Sequence, residues 1–343
     1  MKKAKKHSVK GIAEKLNISP TTVSFVLNGK AKEKKISDEM IERVLAYVKE
    51  INYKPNQLAQ SLRTGKSKII VFMVEDISNH FFASIARKIE DLAYEKDYKV
   101  LFCSNENRDK KSRDLIQLFK DRQVDGYIIN PSPGIRDDIE KLITENIPVI
   151  LFDRYFPGLK TNYVGIDNEE ASYRAALHLI ENGFKKIGFI TLATDQTQMA
   201  NRKKGYLKAI NENGFAHKVL EIEFEGGNHQ RRKELIKDFI FKEDLDAIYF
   251  STNYLTQSGL EVFKENSPEL IDKFGILTFD DHEFFKIHTP TISAIAQPKD
   301  EMASELMKLM LGMLKNSNKN LPSKEIILSA KLFPRNSTIQ KGK

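Results

Sequence analysis

Carboxylate, amide, guanidinium and aromatic side chains stand just after apolar, strand-like runs in this sequence. The candidates of this kind are Phe81, Phe82, Asp153, Arg202, Asn253, Asp280 and Gln297. Groups of these types can hydrogen-bond vicinal hydroxyl groups and stack against a sugar ring. The sequence therefore predicts a site for a small molecule, most simply a sugar or sugar derivative, with a purine as the alternative.

The apolar runs alternate with helical patterns over the last four-fifths of the chain. The runs include Ile69–Val74, Val100–Ser104, Gly126–Asn130, Pro148–Phe152, Ile187–Thr191, Ala247–Ser251 and Gly275–Phe279, and Gln297 closes a later strand. Continuous apolar strands between amphipathic helices are typical of parallel sheets covered on both faces. Because ligands of such folds bind beyond the carboxyl ends of the strands, the residues that follow the runs are the ones expected to line a site.

Each candidate also has a structural interpretation. Asp153 or Asp280 could instead cap a following helix. Phe81 and Phe82 could belong to the core of their own helix, so at most one of them is expected to face a ligand. These alternatives remain open on the sequence alone.

Three further residues are expected to be structural. Cys103, the single cysteine, lies in an apolar run and is expected to be a buried, inert thiol in a reducing compartment. His178 lies on an apolar helix face, where a hydrogen-bonded core histidine is expected, and Asn168 is assigned the same kind of role.

The positive charge is concentrated at one end of the chain. Residues 1–68 hold 16 Lys/Arg and 6 Asp/Glu, a net charge of +10, whereas the whole chain carries +8. This distribution indicates that the N-terminal fifth binds a polyanion, unless it is only a solvated basic tail.

The basic segment has the pattern of a folded helix-turn-helix. Ser8 precedes a first amphipathic helix from Val9 to Leu16, and Asn17-Ile18 forms a short turn. Ser19 is a second N-cap with Pro20 at the first helical position, and Gly29 ends that helix. A third helix, starting at Ser37, carries enough apolar residues to close a small core.

The second helix has the composition of a recognition helix. Val23, Val26 and Leu27 share one side, and Thr21, Phe25 and Asn28 share the other. Thr21 could hydrogen-bond a base edge and Phe25 could pack on a thymine methyl group. The alternative for Phe25 is that it covers a neighbouring helix.

The run from Ile12 to Lys66 resembles the headpiece and hinge of the LacI/GalR (lactose-repressor/galactose-repressor) family of transcriptional regulators. The matching pieces are Ile12-Ala13, Ser19-Pro20-Thr21-Thr22-Val23-Ser24, Asn28-Gly29, Asn52-Tyr53-Lys54-Pro55-Asn56 and Ala59-Gln60-Ser61-Leu62-Arg63. The resemblance implies that Pro20, Thr21 and Phe25 read bases, and that Leu62 wedges into the minor groove from a hinge helix formed on operator DNA. The full implied DNA-binding set is Ser19, Pro20, Thr21, Thr22, Ser24, Phe25, Asn28, Tyr53, Asn56, Ala59 and Leu62.

Two residues depart from the family pattern. Gly11 stands where the family usually has Asp, which weakens the first helix. Phe25 stands where Arg or His is common, so the operator sequence should differ from those of relatives.

The remaining chain resembles the effector domain of the same family, which is similar to periplasmic sugar-binding proteins. The matches are Asp153-Arg154, Val164-Gly165-Ile166-Asp167-Asn168, His178-Leu179-Ile180, Arg202, Phe279-Asp280-Asp281 and Ala296-Gln297. The resemblance implies effector contacts from Arg202, Asn253, Asp280 and Gln297, with Phe81 or Phe82 as a stacking platform.

The implied fold is an all-α helix-turn-helix headpiece followed by a periplasmic-binding-protein-like α/β body of two doubly wound parallel-sheet lobes. The expected parts are a headpiece at 1–57, a hinge at 58–68, and a body at 69–343. Within the body the N-lobe is placed at about 69–167 and 297–325, and the C-lobe at about 168–296 and 326–343. A homodimer is expected, and the C-terminus lacks the leucine heptad of a tetramer.

Other classes of protein fit the sequence less well. The chain has no Gly-x-Ser-x-Gly, no dinucleotide fingerprint and no His/Cys set at metal spacing, so neither an enzyme nor a cofactor is expected. A transport binding protein would need a signal peptide, but no apolar segment follows the basic N-terminus. A nonspecific nucleoid protein would not need a ligand cleft. We therefore expect a cytoplasmic repressor, not attached to a membrane, whose affinity for a near-palindromic operator depends on a small-molecule effector.

Overall fold

The computed structural model describes residues 8–53, 65–223, 228–315 and 322–339. The chain divides into two compact units, of which the first ends at Ser67 and the second begins at Lys68. Among the described residues, no helix is both long enough and apolar enough to cross a lipid bilayer.

The first unit contains three helices, α1 (Val9–Leu16), α2 (Pro20–Leu27) and α3 (Asp38–Glu50). Each begins at a serine N-cap, because the hydroxyl oxygens of Ser8, Ser19 and Ser37 accept hydrogen bonds from backbone N–H groups of the first turn. Asn17 takes a left-handed conformation (φ 51°) that ends α1 and turns the chain toward α2. The small core contains Ile12, Ala13, Leu16, Val23, Val26, Ala31 and Val44.

The second unit alternates strands and helices. Its strands are β1 (Ile69–Val74), β2 (Lys99–Ser104), β3 (Gly126–Ile129), β4 (Val149–Phe152), β5 (Asn162–Ile166), β6 (Ile187–Leu192), β7 (Lys218–Ile222), β8 (Ala247–Phe250), β9 (Gly275–Phe279), β10 (Ser293–Ala296), β11 (Glu325–Leu328) and β12 (Lys331–Phe333). Its α-helices are α4 (His80–Tyr94), α5 (Asp109–Asp121), α6 (Arg136–Thr144), α7 (Asn168–Glu181), α8 (Thr197–Glu212), α9 (His229–Lys242), α10 (Asn253–Asn266), α11 (Glu283–Ile287) and α12 (Lys299–Lys315). Short 3₁₀ turns occur at Pro268–Leu270 and Asn336–Thr338.

Two six-stranded sheets define two lobes. The first sheet has the order β11-β5-β4-β3-β1-β2 and the second the order β12-β10-β9-β8-β6-β7. Neighbouring strands are parallel except for β10 and β12, which are antiparallel. A helical headpiece followed by two parallel-sheet α/β lobes confirms the predicted fold class.

The chain passes between the lobes three times. It crosses after β5, again between β10 and α12, and a third time between β11 and β12. Because β11 pairs with β5 through Leu328, the last crossover falls a few residues beyond the predicted position near 325. Several strands were not predicted as elements: β5 and β7, and the short terminal strands β11 and β12.

The two lobes have apolar cores on both sheet faces. Strands β3, β4, β6, β8 and β9 are buried along their whole length, which explains their continuous apolar sequences. In the second lobe, α7 and α8 pack at close range through Gly205. A Cβ atom at Gly205 would overlap the carbonyl oxygen of Glu169 and lie 2.8 Å from the backbone nitrogen of Tyr173.

Gly205→Ala should lower the free energy of unfolding by about 3 kcal/mol, because backbone atoms of α7 cannot move aside as a flexible side chain could. Gly312→Ala is the matched control, since a Cβ there meets no atom within 4 Å in helix α12. The control should gain about 0.5–1 kcal/mol of helix stability. Urea unfolding of both variants measures the difference, and equal stabilities would contradict the close packing of α7 on α8.

Candidate functional site

Helix α2 presents the predicted DNA-reading residues at the surface of the first unit. Ser19, Pro20, Thr21 and Asn28 are exposed, and Thr22, Ser24 and Phe25 are partly exposed. Three of these side chains also stabilise the helix: Ser19 Oγ accepts from Thr22 N at 3.0 Å, Ser19 Oγ and Thr22 Oγ1 lie 2.9 Å apart, and Asn28 Nδ2 donates to Ser24 O at 2.6 Å.

Phe25 lies outside the small core of the first unit. Its ring is 5.6 Å from the ammonium nitrogen of Lys34, in a loop that also carries Lys30, Lys32 and Lys35. An aromatic ring beside a cationic loop favours the base-contact interpretation over the alternative that Phe25 covers a neighbouring helix. Tyr53, by contrast, packs against the core. The predicted contacts Asn56, Ala59 and Leu62 lie outside the described residues.

The two predicted aspartates stand at the carboxyl ends of strands. Asp153 follows β4 and Asp280 follows β9, and both have left-handed backbones (φ 64° and 72°). Neither caps a helix, because the element after Asp153 is a strand and the N-cap of α11 is His282. The capping alternative is therefore wrong for both residues.

Arg202 of helix α8 is buried, with 1% of its surface exposed. Its Nε donates to Asn168 Oδ1 at 2.8 Å and its Nη1 donates to the carbonyl oxygen of Ser251 at 2.7 Å. The guanidinium carbon lies 3.6 Å from the centre of the Phe279 ring, and Nη1 lies 3.8 Å from Asp280 Oδ2. Asn168, predicted to be structural, thus holds the guanidinium in place.

Two predicted amides complete the cluster. Gln297 Nε2 donates to Asp280 Oδ1 at 2.5 Å, while Gln297 Oε1 is buried and has no hydrogen-bond partner within the part of the chain that the structure describes. Asn253 Nδ2 donates across the lobes to Asn79 Oδ1 at 3.2 Å. Arg202, Asp280 and Gln297 therefore form one polar cluster in the second lobe, and Asn253 connects that lobe with the start of α4.

The first lobe adds a polar network that the sequence analysis did not assign. Arg154 pairs with Glu75 at 2.7 Å, donates to Asn107 Oδ1 at 3.0 Å and contacts Asn130 Oδ1. Asn130 Nδ2 in turn donates to Asp153 Oδ2 at 2.9 Å. Glu75 and Asn130 each follow a strand, so the rule that selected Asp153 and Asp280 would also have selected them.

Burial raises the pKa of Asp153 to about 6, against the attraction of the neighbouring Arg154 and Arg202. Asp280 and Glu75 act on the same carboxyl group and raise its pKa further. Because Asp280 belongs to the other lobe, this electrostatic interaction joins the two halves of the site.

Both candidate stacking residues lie in the core of the first lobe. Phe81 and Phe82 are each 5% exposed, and Phe82 packs edge-on against Phe152 with 6.0 Å between ring centres. A cavity lies between the lobes, and neither phenylalanine ring lines it. Both residues therefore fit the interpretation that they belong to the core of the protein.

A cavity of about 1240 Å³ opens between the lobes. Of the predicted effector contacts, only Asn253 lines it, together with Glu75, Asn79 and Tyr254. The cavity is not lined by Arg202, Asp153, Asp280 or Gln297, which are hydrogen-bonded or ion-paired to neighbouring protein groups. A ligand can reach this cluster only if it displaces some of these interactions or separates the lobes.

No metal site accompanies the cluster. Within the ranges that the structure describes, no three His, Cys, Asp or Glu side chains lie close enough together to hold a metal ion. The chemistry available is hydrogen bonding and charge. A helix-turn-helix unit joined to a two-lobed body with a polar cleft is the architecture of a ligand-responsive DNA-binding protein.

Comparisons with known proteins agree with this architecture. The sequence profile of "Bacterial regulatory proteins, lacI family" matches residues 8–56, and that of "Periplasmic binding protein-like domain" matches residues 176–338. The HTH-type transcriptional regulator RegA of Clostridium saccharobutylicum is 28% identical over 97% of this chain and 99% of its own length. The ribose operon repressor of Haemophilus influenzae is 27% identical over 91% of this chain and 93% of its own.

A solved structure of the lac repressor dimer, bound to operator and the anti-inducer ONPF, has the same fold. It superposes with a TM-score of 0.82 at 18% identity and covers 98% of this chain and 100% of the repressor chain. The chain carries the DNA-binding domain of the LacI family of bacterial regulatory proteins together with a periplasmic-binding-protein-like domain. It is a DNA-binding transcriptional regulator, and members of this family are regulators and not enzymes.

Asp153→Asn should make the protein more stable at neutral pH. A raised carboxyl pKa means that the folded state holds the proton more tightly, so stability is lost as pH rises from about 4 to about 6. The advantage of the variant should therefore be near zero below pH 4 and reach about 3 kcal/mol at pH 7.

Thermal unfolding of the wild-type protein and of Asp153→Asn between pH 4 and 8 measures this difference in stability. Asp244→Asn is the control, because the Asp244 side chain is 78% exposed. A stability difference that did not change with pH would contradict the account of Asp153.

Proposed function

We propose that this chain is a repressor that binds a near-palindromic operator as a homodimer and changes its operator affinity when a sugar or sugar derivative binds between its lobes. The observation that carries the proposal is the polar cluster of Arg202, Asp280 and Gln297, whose charges act on Asp153 of the other lobe. The function of the related ribose operon repressor of Haemophilus influenzae supports a sugar. Since the target is chromosomal DNA, we propose that the protein acts in the cytoplasm.

The proposed effector contacts are Asp153, Arg202, Asn253, Asp280 and Gln297. Carboxylate and amide oxygens accept hydrogen bonds from sugar hydroxyls, and amide and guanidinium N–H groups donate to them. In the proposed mechanism, a sugar replaces some of the hydrogen bonds within the cluster, and the preferred angle between the lobes changes with it. The phenylalanines of α4 act as core packing beneath the site.

The proposed DNA contacts begin with the exposed face of α2. Ser19, Pro20, Thr21, Thr22, Ser24, Phe25 and Asn28 would lie in the major groove, with Thr21 donating to a base edge and Phe25 against a thymine methyl group. Tyr53, Asn56, Ala59 and Leu62 complete the proposed set, with Leu62 as the minor-groove wedge.

Exposed apolar side chains support the homodimer. Leu101 and Phe102 are each 37% exposed on β2, the edge strand of the first sheet, and Tyr94 at the end of α4 is 71% exposed. An uncovered apolar edge strand favours association with another chain. A second copy of this chain is the proposed partner, as in the lac repressor dimer.

The experiment that tests the function is capture of genomic DNA. Purified protein is incubated with sheared DNA from its source at physiological salt, and the retained fragments are sequenced. One palindromic motif near carbohydrate-utilisation genes is the expected result. Retention of all fragments alike, lost at modest salt, would mean phosphate contacts alone and would contradict sequence-specific regulation.

Phe25→Ala should weaken binding to the captured operator by about tenfold or more, because one apolar base contact is lost in the major groove. Leu45→Ala is the control, since Leu45 is an exposed apolar residue on α3 outside the recognition helix. Fluorescence anisotropy with labelled operator measures both variants. Full operator affinity in Phe25→Ala would place the ring outside the interface.

Asp280→Asn should shift the response of operator binding to sugar concentrations about tenfold higher, while DNA binding without sugar is retained. The substitution replaces one carboxylate acceptor with an amide and weakens sugar binding by about tenfold or more. Asp244→Asn again serves as the control. A normal sugar response in Asp280→Asn would remove Asp280 from the proposed site.

A further inference from the structure

The polar cluster and its first-lobe network together contain more negative than positive charge. Three carboxylates, from Glu75, Asp153 and Asp280, share two guanidinium groups, those of Arg154 and Arg202. Arg154 is paired with Glu75 at 2.7 Å, and Arg202 lies 3.8 Å from Asp280. Asp153 forms no ion pair among the described residues and accepts one hydrogen bond from Asn130, while Arg154 and Arg202 act on it from a greater distance.

The two guanidinium groups are already committed to protein partners. Arg202 is held by Asn168, the carbonyl oxygen of Ser251 and the face of Phe279. Arg154 is held through its terminal nitrogens, and only its Nε is buried without a hydrogen-bond partner among the described residues. One N–H group of this kind suits a hydroxyl or ring oxygen, whereas a phosphate or carboxylate needs several donors or an unpaired cation.

The wall of the cavity also carries more negative than positive charge. Among the described residues that line it, six are carboxylates and four are Lys or Arg. Lys299 does not line the cavity, but its charge acts on Glu283 and on His80, which does line it. Among the described residues that line the cavity, positive charge is therefore not in excess.

An anionic ligand would bring one more negative charge into this environment. Like charges at close range in a buried site repel strongly, because the surrounding dielectric is low. Burial itself already raises the pKa of Asp153 to about 6, because its ionised carboxylate is removed from water, and Asp280 and Glu75 raise that pKa further. A hydroxyl group adds no charge and donates a hydrogen bond to the same carboxylate.

We propose that the effector is a sugar without a phosphate or carboxylate group, and that an amine in place of one hydroxyl is tolerated. This inference rests on the proposed function, in which the cluster binds a sugar. It adds that the site excludes negatively charged sugars. It assigns this preference for neutral over acidic sugars to the Asp153 carboxylate.

The experiment uses the full-length protein and matched sets of ligands. Thermal shift followed by calorimetry compares glucose, galactose and ribose with glucosamine and galactosamine, and with the corresponding uronates and sugar phosphates. Adenine and guanine are included as purine probes. The expected result is that every sugar that binds is neutral or carries an amine, and that its acidic counterpart binds at least about tenfold more weakly.

Two other results would contradict either the charge preference or the sugar effector itself. An acidic sugar that bound more tightly than its neutral counterpart would overturn the inference while leaving the sugar-responsive function in place. A purine that bound when no sugar did would overturn the sugar as effector, and the inference with it.

A variant tests the assigned cause. Asp153→Asn removes the unpaired negative charge, so the ratio of neutral to acidic sugar affinity should fall by about tenfold. Asp244→Asn, on the surface, should leave that ratio unchanged. If Asp153→Asn kept the wild-type ratio while its overall sugar binding persisted, Asp153 would not be the source of the discrimination.

Discussion

The buried guanidinium of Arg202 is the constraint on which the second lobe depends. A charge taken out of water costs several kcal/mol unless hydrogen bonds and an opposite charge surround it. Here α7 supplies Asn168, the end of β8 supplies the Ser251 carbonyl, and the end of β9 supplies Phe279 and Asp280. These elements must meet within a few ångströms, and the close approach of α8 to α7 at Gly205 brings the arginine there.

The polar interactions of the site also depend on how the two lobes are positioned. Asp153 of the first lobe is influenced by Arg202 and Asp280 of the second, and Asn253 reaches across to Asn79. In this structure most of these polar groups bond to one another, whereas Gln297 Oε1 and Arg154 Nε are buried without a hydrogen-bond partner among the described residues. A ligand that binds one lobe angle better than another shifts the population toward that angle, and three chain crossings allow the lobes to move as bodies. DNA affinity then changes to the extent that the headpieces of a dimer respond to that angle.

Much of the fold could be predicted from local chemistry. Ser8, Ser19 and Pro20 set the starts of α1 and α2 because caps and first-turn residues act within three positions. Buried strands such as β4 and β9 were visible as apolar runs, whereas β7 was not, because its residues are only partly buried. The strand-end rule found Asp153 and Asp280, but the partners of Arg154 come from three separate segments, and sequence spacing carries no information about such pairings. Phe81 and Phe82 were candidates for stacking against a ligand but lie in the core of the first lobe. An apolar residue close to a site in the sequence is equally suited to either position, so the sequence could not distinguish them.

The most direct test of the account is a measurement of linkage between the two sites. Operator affinity is measured by anisotropy at increasing concentrations of a sugar that binds, and sugar affinity is measured with and without saturating operator. The account predicts that each ligand changes the affinity for the other by the same factor, and that this factor differs clearly from one. Operator affinity that stayed constant at saturating sugar would contradict the claim that the polar cluster between the lobes controls DNA binding.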